Sequence, residues 1–231
     1  MSTDGLFTVL FDLLAGSPHY MITGSLSFLP LVPKYREPGE DLDVFVRRDV
    51  FEARRFAFES AGQLRALRVP EVALASASPF SRVFMPRTGF LHLETSEGRL
   101  DIALYDESDA SVKLILGLGI CIAMTGAICT RLNHLHWKAH TYHSAAPEFM
   151  FLTKAVGYLS ALRDGTAPEF RRTKHYADLL HMAPVVDGRF ALQLLDSLRV
   201  GWRGISFPNW FQKWVNPYAI VDLGELQRVL V

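Results

Sequence analysis

The chain has 231 residues, of which 49% are hydrophobic and 21% charged, the profile of a globular protein large enough for one big domain or two small ones. Its formal net charge is zero, which excludes non-specific nucleic-acid binding through a global basic field; any basic site must be local. Two cysteines, Cys121 and Cys129, exclude a disulfide framework and fit the reducing cytoplasm.

The N-terminal run MSTDGLFTVLFDLLAG lacks a basic leader and reads as a helix rather than a signal peptide. Within Gly5–Ala15, Leu6, Val9, Leu10, Leu13 and Leu14 fall on one helical face, and Ser17-Pro18 ends the helix. A short strand, Tyr20–Thr23, leads into a Gly24-Ser25 turn and a short helix from near Leu26, stopped by Pro30 and Pro33. Lys34–Glu40 is a polar loop with a Pro38-Gly39 turn signal. Arg36 in this loop suits a phosphate or carboxylate fork, and equally a solvated loop position.

The next strand, Leu42–Val46, opens with Asp41 and Asp43. Side chains two apart on a strand share a face. Two carboxylates there repel unless a cation lies between them, and Mg²⁺ prefers such oxygen ligands, usually shared with substrate phosphates. The Gly-Ser turn just before offers backbone N–H groups to a phosphate. A phosphate cradle followed by a metal-binding acid pair is what nucleotidyl transfer requires; the alternative for Asp41 and Asp43 is a solvated strand end.

Asp49–Leu64 is predicted to be one helix with Asp49 as N-cap, Phe51, Phe58 and Leu64 on its apolar side, and a solvated basic shoulder at Arg47, Arg48, Arg54 and Arg55. Val72–Leu104 reads as β-structure, with a hairpin of Phe90–Thr95 and Arg99–Leu104 joined by Ser96-Glu97-Gly98. Asp101, flanked by apolar residues in RLDIAL, needs a cation or hydrogen-bond partner if buried; it is a candidate third metal carboxylate, or it faces solvent on an alternating strand. Asp106, Glu107 and Asp109 read as a turn. Leu114–Thr130, the most apolar stretch, is expected to be buried strand and turn material in a soluble protein rather than a membrane span. His134, His136, His140 and His143 follow closely; polar surface is preferred over a zinc site, because no Cys or acid lies at ligand spacing.

Pro147–Arg163 is a predicted helix with Phe149, Leu152, Val156 and Leu159 on its core face and Lys154 toward the polar margin. Glu169–Met182 is a second, in which Lys174 and Asp178 are spaced for an intrahelical ion pair, ended by Ala183-Pro184. Phe190–Val200 reads as a further helix, Trp202, Trp210, Phe211 and Trp214 as aromatic packing, and Leu223–Leu230 as a short final helix. The whole predicts an α+β protein: residues 1–145 built on a mixed sheet with Tyr20–Thr23, Leu42–Val46 and Arg99–Leu104 as neighbours, and a helical part over 146–231.

Gly24-Ser25 followed by Asp41-Leu42-Asp43 resembles the signature of the polymerase-β-like nucleotidyltransferase superfamily. The helix PEFMFLTKAVGYLSALR followed by RRTKHYADLLHM resembles the C-terminal half of the AbiEii-type nucleotidyltransferase toxins, with Lys154, Arg163, Lys174 and Asp178 on matching positions and Asp101 on the family's h-D-h acid. The chain departs at Ser25, where the family usually has a second glycine, and at His175, where it has an acid. The resemblance implies Mg²⁺ on Asp41, Asp43 and Asp101, with Asp101 also activating the attacking hydroxyl. It places Gly24, Ser25, Arg36 and Lys154 on the triphosphate and Asp178 as a supporting catalytic acid. It implies a nucleoside triphosphate donor, an acceptor that is an RNA end (tRNA included) or a protein hydroxyl, a local basic surface from Arg163, Arg171, Arg172 and Lys174, and a cognate antitoxin partner. A non-catalytic nucleotide- or partner-binding module and a small-molecule (antibiotic) nucleotidyltransferase are the other readings of the same fold.

Overall fold

Helix α1 (Thr3–Leu14) buries Leu6, Phe7, Leu10, Leu13 and Leu14, the three-and-four spacing of one face. It stops where Ala15 (φ 48°) and Gly16 (φ 78°) turn left-handed, just ahead of Ser17-Pro18. The computed structural model describes residues 3–66, 89–105, 112–115, 121–124, 133–163, 169–191 and 199–201, which fall into two compact units.

The first unit, the described part of Met1–Arg68, Thr88–Val112 and Ile128–Ala146, carries a seven-stranded mixed sheet. Its strands are β1 (Tyr20–Ile22), β2 (Asp41–Arg47), β3 (Gln63–Ala66), β4 (Gly89–Thr95), β5 (Gly98–Tyr105), β8 (Asn133–Trp137) and β9 (His140–Ser144), in the order β3-β4-β5-β2-β1-β9-β8. β2 runs parallel to β5, and β1 parallel to β9; β1–β2, β3–β4, β4–β5 and β8–β9 are antiparallel. The expected neighbours Tyr20–Thr23, Leu42–Val46 and Arg99–Leu104 are therefore the adjacent strands β1, β2 and β5, as an α+β mixed sheet requires.

One face of this sheet is the core: Ile22, Leu42, Val44, Val46, Leu93, Leu100, Ile102 and Leu104 pack with the apolar side of α1 and with Phe51 and Phe58. The period of two then forces Asp41, Asp43, Arg99 and Asp101 onto the opposite face. A one-residue slip of either strand would drive its acids into the core, so burial fixes the register.

In the second unit, helices α4 (Pro147–Arg163) and α5 (Glu169–Met182) pack together, and a 3₁₀ turn (Ala183–Val185) follows. Residues 188–191 form a helical turn capped by Asp187, whose Oδ1 accepts from the backbone N–H of Arg189 (2.9 Å) and Phe190 (3.2 Å). Strands β6 (Val112–Ile115), β7 (Cys121–Met124) and β10 (Arg199–Gly201) make a small sheet in the order β10-β7-β6. Of the apolar stretch, Leu114, Ile115 and Cys121–Met124 lie in these strands and the remainder is outside the described residues; among the described residues no helix is long and apolar enough to cross a membrane.

Several expectations change. The single helix over Asp49–Leu64 is two, α2 (Arg48–Ala53) and α3 (Arg55–Ala61), and Leu64 lies in β3. The break at Arg54 has a tertiary cause: its guanidinium leaves the helical path to donate to the α1 carbonyls of Leu13 (3.1 Å) and Asp12 (3.2 Å). Asp49 is inside α2 rather than its N-cap; its Oδ1 accepts from Arg47 Nε (2.6 Å) and the Val50 N–H (2.8 Å). The hairpin link is Ser96-Glu97 alone, because Gly98 already pairs with Thr95. Arg199 and Val200, expected in a helix, are in β10. Asp106, Glu107, Asp109, Trp202, Trp210, Phe211, Trp214 and Leu223–Leu230 lie outside the described residues, as do the side chains of Arg163, Arg171 and Arg172.

Candidate active site

The site forms where β1 ends. The Thr23 N–H donates to the Asp43 carbonyl (2.9 Å), so the next residue is delivered beside the Asp43 side chain. Gly24 takes φ 64°, and a Cβ there would overlap the Asp43 carboxylate. Glycine is required twice over, by the left-handed backbone and by the contact. Gly24–Ser27 then forms a 3₁₀ turn, closed by the Ser27 hydroxyl donating to the Gly24 carbonyl (2.8 Å). Tyr142 of β9 pins the turn by donating its hydroxyl to the Leu26 carbonyl (2.8 Å); burial raises its pKa. A second glycine borders the second acid: a Cβ on Gly39 would sit 2.7 Å from Asp41 Oδ1.

Across the parallel ladder Asp43 lies opposite Asp101, and Asp41 opposite Arg99. Neighbouring strands are about 4.8 Å apart, so the Asp43 and Asp101 side chains leave the sheet one strand spacing from each other. Arg99 bridges the outer acids, with Nη2 3.1 Å from Asp41 Oδ2 and 3.0 Å from Asp101 Oδ2. Its Nε is 2.9 Å from Asp101 Oδ1, an ion pair whose N–H is not aimed for a hydrogen bond. Partial burial works against the Arg99 charge, but the field and hydrogen bond of Asp101, with Asp41 and Glu94, outweigh it and raise its pKa. His92, opposite Asp101 on β4, brings Nδ1 2.5 Å from Asp101 Oδ1. A pocket of about 390 Å³ lined by Glu40, Asp41, Glu94, Gly98 and Arg99 opens at the rim.

Arg99 and His92 were not singled out from the sequence. The signal for Arg99 was legible: it precedes Asp101 by two on the same strand, so the two share a face. His92 becomes visible only with the hairpin register, which pairs it with Asp101. Carboxylates on one face repel unless a cation lies between them, and the chain supplies its own in Arg99, between Asp41 and Asp101.

Arg36 lies with its guanidinium 5.6 Å from the Tyr35 ring centroid and 5.8 Å from that of Phe28, and donates to the Glu37 carbonyl (3.0 Å). In the second unit Lys154 meets Asp178 across the α4–α5 contact, Nζ to Oδ2 2.8 Å, with side chains 11% and 0% exposed. Lys154 is thus mostly buried rather than at a polar margin, and its pair with Asp178 runs between the two helices. Of the histidines of β8 and β9, His134 lies opposite His143 with ring centroids 4.7 Å apart, while His136 faces Thr141 and His140 faces Trp137.

Among the described residues no three His, Cys, Asp or Glu side chains are gathered as a ready-made metal cage. The donor set nonetheless fits Mg²⁺, which takes hard oxygen ligands and is held by one or two carboxylates together with substrate phosphates rather than by all-protein cages. Asp43 and Asp101, opposite each other, are the pair that suits this.

No family model matches the chain, and no curated protein matches it in sequence. Among solved structures, the lincomycin-bound lincosamide antibiotic adenylyltransferase LnuA is similar at 14% identity and a TM-score of 0.49, over 80% of this chain and 99% of that one. An antigenic nucleotidyltransferase-like protein from Paracoccidioides brasiliensis is similar at 14% identity and a TM-score of 0.44, over 100% of this chain and 94% of that one.

Proposed function

We propose that this protein is a Mg²⁺-dependent nucleotidyltransferase of the polymerase-β-like type. The observation that carries the reading is the packing of the Gly24 turn onto Asp43, with Asp41 and Asp101 on the same sheet face. A phosphate-binding turn and a metal-binding acid pair are useful together only where a triphosphate lies across both.

Asp43 and Asp101, with Asp41 beside them, would hold the metal. Bound there, Mg²⁺ supplies Lewis-acid charge to the reacting phosphate. Backbone N–H groups of the turn and the Ser25 hydroxyl grip the terminal phosphates, with Arg36 available to them. An acceptor oxygen attacks the α-phosphorus, the bond to the bridging oxygen breaks, and pyrophosphate leaves. Asp101 orients the acceptor hydroxyl and takes its proton, with His92 hydrogen-bonded behind it. By the AbiEii-type resemblance, Lys154, which pairs with Asp178 in the second unit, is the residue assigned to offset negative charge on the phosphates.

The finer assignment follows the AbiEii-type resemblance: the acceptor is an RNA end, tRNA included, or a protein hydroxyl, and the protein is the toxin of a pair with a cognate antitoxin. A small-molecule acceptor is the competing arm. Incubation with each α-labelled nucleoside triphosphate, Mg²⁺ and a cell extract separates them. Label is expected in RNA or protein; label in the small-molecule fraction assigns the competing arm, and no transfer with any nucleotide leaves the non-catalytic module.

A further inference from the structure

The acid face is neutralised from within. Arg99 contacts both outer acids, Asp41 at 3.1 Å and Asp101 at 2.9 and 3.0 Å, and does so on the same face and at the same end of β2 and β5 where a metal would bind. Asp101 also carries His92, so its two oxygens are both engaged. A divalent cation entering between Asp43 and Asp101 meets a guanidinium already bonded to one of its ligands.

Resting on the nucleotidyltransferase reading above, we infer that Arg99 is a built-in counter-ion of this site, holding Asp41 and Asp101 together in the absence of metal and competing with the metal for them. Arg99 is a positioning residue: it acts through the two carboxylates. The chemistry favours exchange over permanent closure. The guanidinium side chain is 41% exposed and its carboxylate partners 38% and 21%, so solvent screens these ion pairs and their loss is mild. A dication gains more than a monocation from the same carboxylates at similar distance, because the interaction scales with charge.

The test is Mn²⁺ binding to the full chain without nucleotide, followed by titration calorimetry and by the Mn²⁺ electron-spin resonance signal. Arg99→Gln removes the charge and is expected to tighten Mn²⁺ binding by about fivefold or more. Arg99→Lys, which keeps the charge but not the guanidinium fork, should tighten Mn²⁺ binding clearly less than Arg99→Gln does. A residue that only braces the strands would give the opposite pattern, since loosening the acids weakens the metal. Equal or weaker Mn²⁺ binding by Arg99→Gln in a folded protein overturns the inference and leaves the metal site standing. Absence of Mn²⁺ binding from wild type and Arg99→Gln alike overturns both. Arg99→Met provides a second neutral variant, and failure of both neutral variants to fold, judged by circular dichroism, also overturns the inference by making Arg99 structural.

Discussion

Asp43 is bordered on two sides: Gly24 packs on its carboxylate, and Asp101 stands opposite it on β5. Asp43→Asn preserves shape and removes ligand charge, so transfer should fall below detection while the melting temperature stays near wild type. Gly24→Ala forces a Cβ into φ 64° and against Asp43, a strain of about 1–3 kcal/mol. Calorimetry should show that loss of stability, and nucleotide-induced stabilisation should be lost with it. The acid pair and the turn were legible from residue type and spacing alone. Their contact was not, since 18 residues lie between Gly24 and Asp43 in the chain and only the β1–β2 register closes the gap.

At the scale of elements, the α4–α5 packing adds what spacing within one helix could not show. It brings Lys154 of α4 to 2.8 Å of Asp178 of α5, an acid with no solvent exposure. Removing one partner of such a pair strands the other charge, at a cost of about 3–5 kcal/mol. Asp178→Asn should therefore shift the urea midpoint strongly, and the double variant with Lys154→Met should recover part of the loss, a coupling that a double-mutant cycle measures. Lys154→Ala should also slow transfer by more than about tenfold when rates are referred to the folded fraction. The α2–α3 break was invisible for a similar reason: the apolar spacing of Phe51 and Phe58 suits one helix, and only the tertiary bonds of Arg54 to α1 explain two. The strands were more legible than their pairings, because alternation is written locally while a parallel neighbour is not.

For the whole molecule, pH response follows from two tyrosines. Burial raises Tyr142, and burial, partly countered by the His143 N–H, raises Tyr20 above its ordinary 10.0. Each is neutral when folded and ionises more readily when unfolded. Their contribution is full below pH 10 and is lost as pH rises above it, because the unfolded chain then sheds protons first. Stability from denaturant titrations should fall through pH 10–11 and beyond, with tyrosinate absorbance lagging in the folded protein; Tyr142→Phe should flatten that fall while loosening the Gly24–Ser27 turn.

The α+β class, the mixed sheet and the two helices from Pro147 were readable because core periodicity and proline and glycine punctuation suffice for them. The internal counter-ion Arg99 was not, although an arginine two before an acid on a strand is a legible pattern once the strand is assigned. The measurement closest to the central claim is pyrophosphate release from nucleoside triphosphates, with Mg²⁺ and cell extract as acceptor, comparing wild type with Asp43→Asn and Asp101→Asn. Release by wild type with at least one nucleotide, abolished in both folded variants, is the predicted result; release that persists in both variants would contradict it.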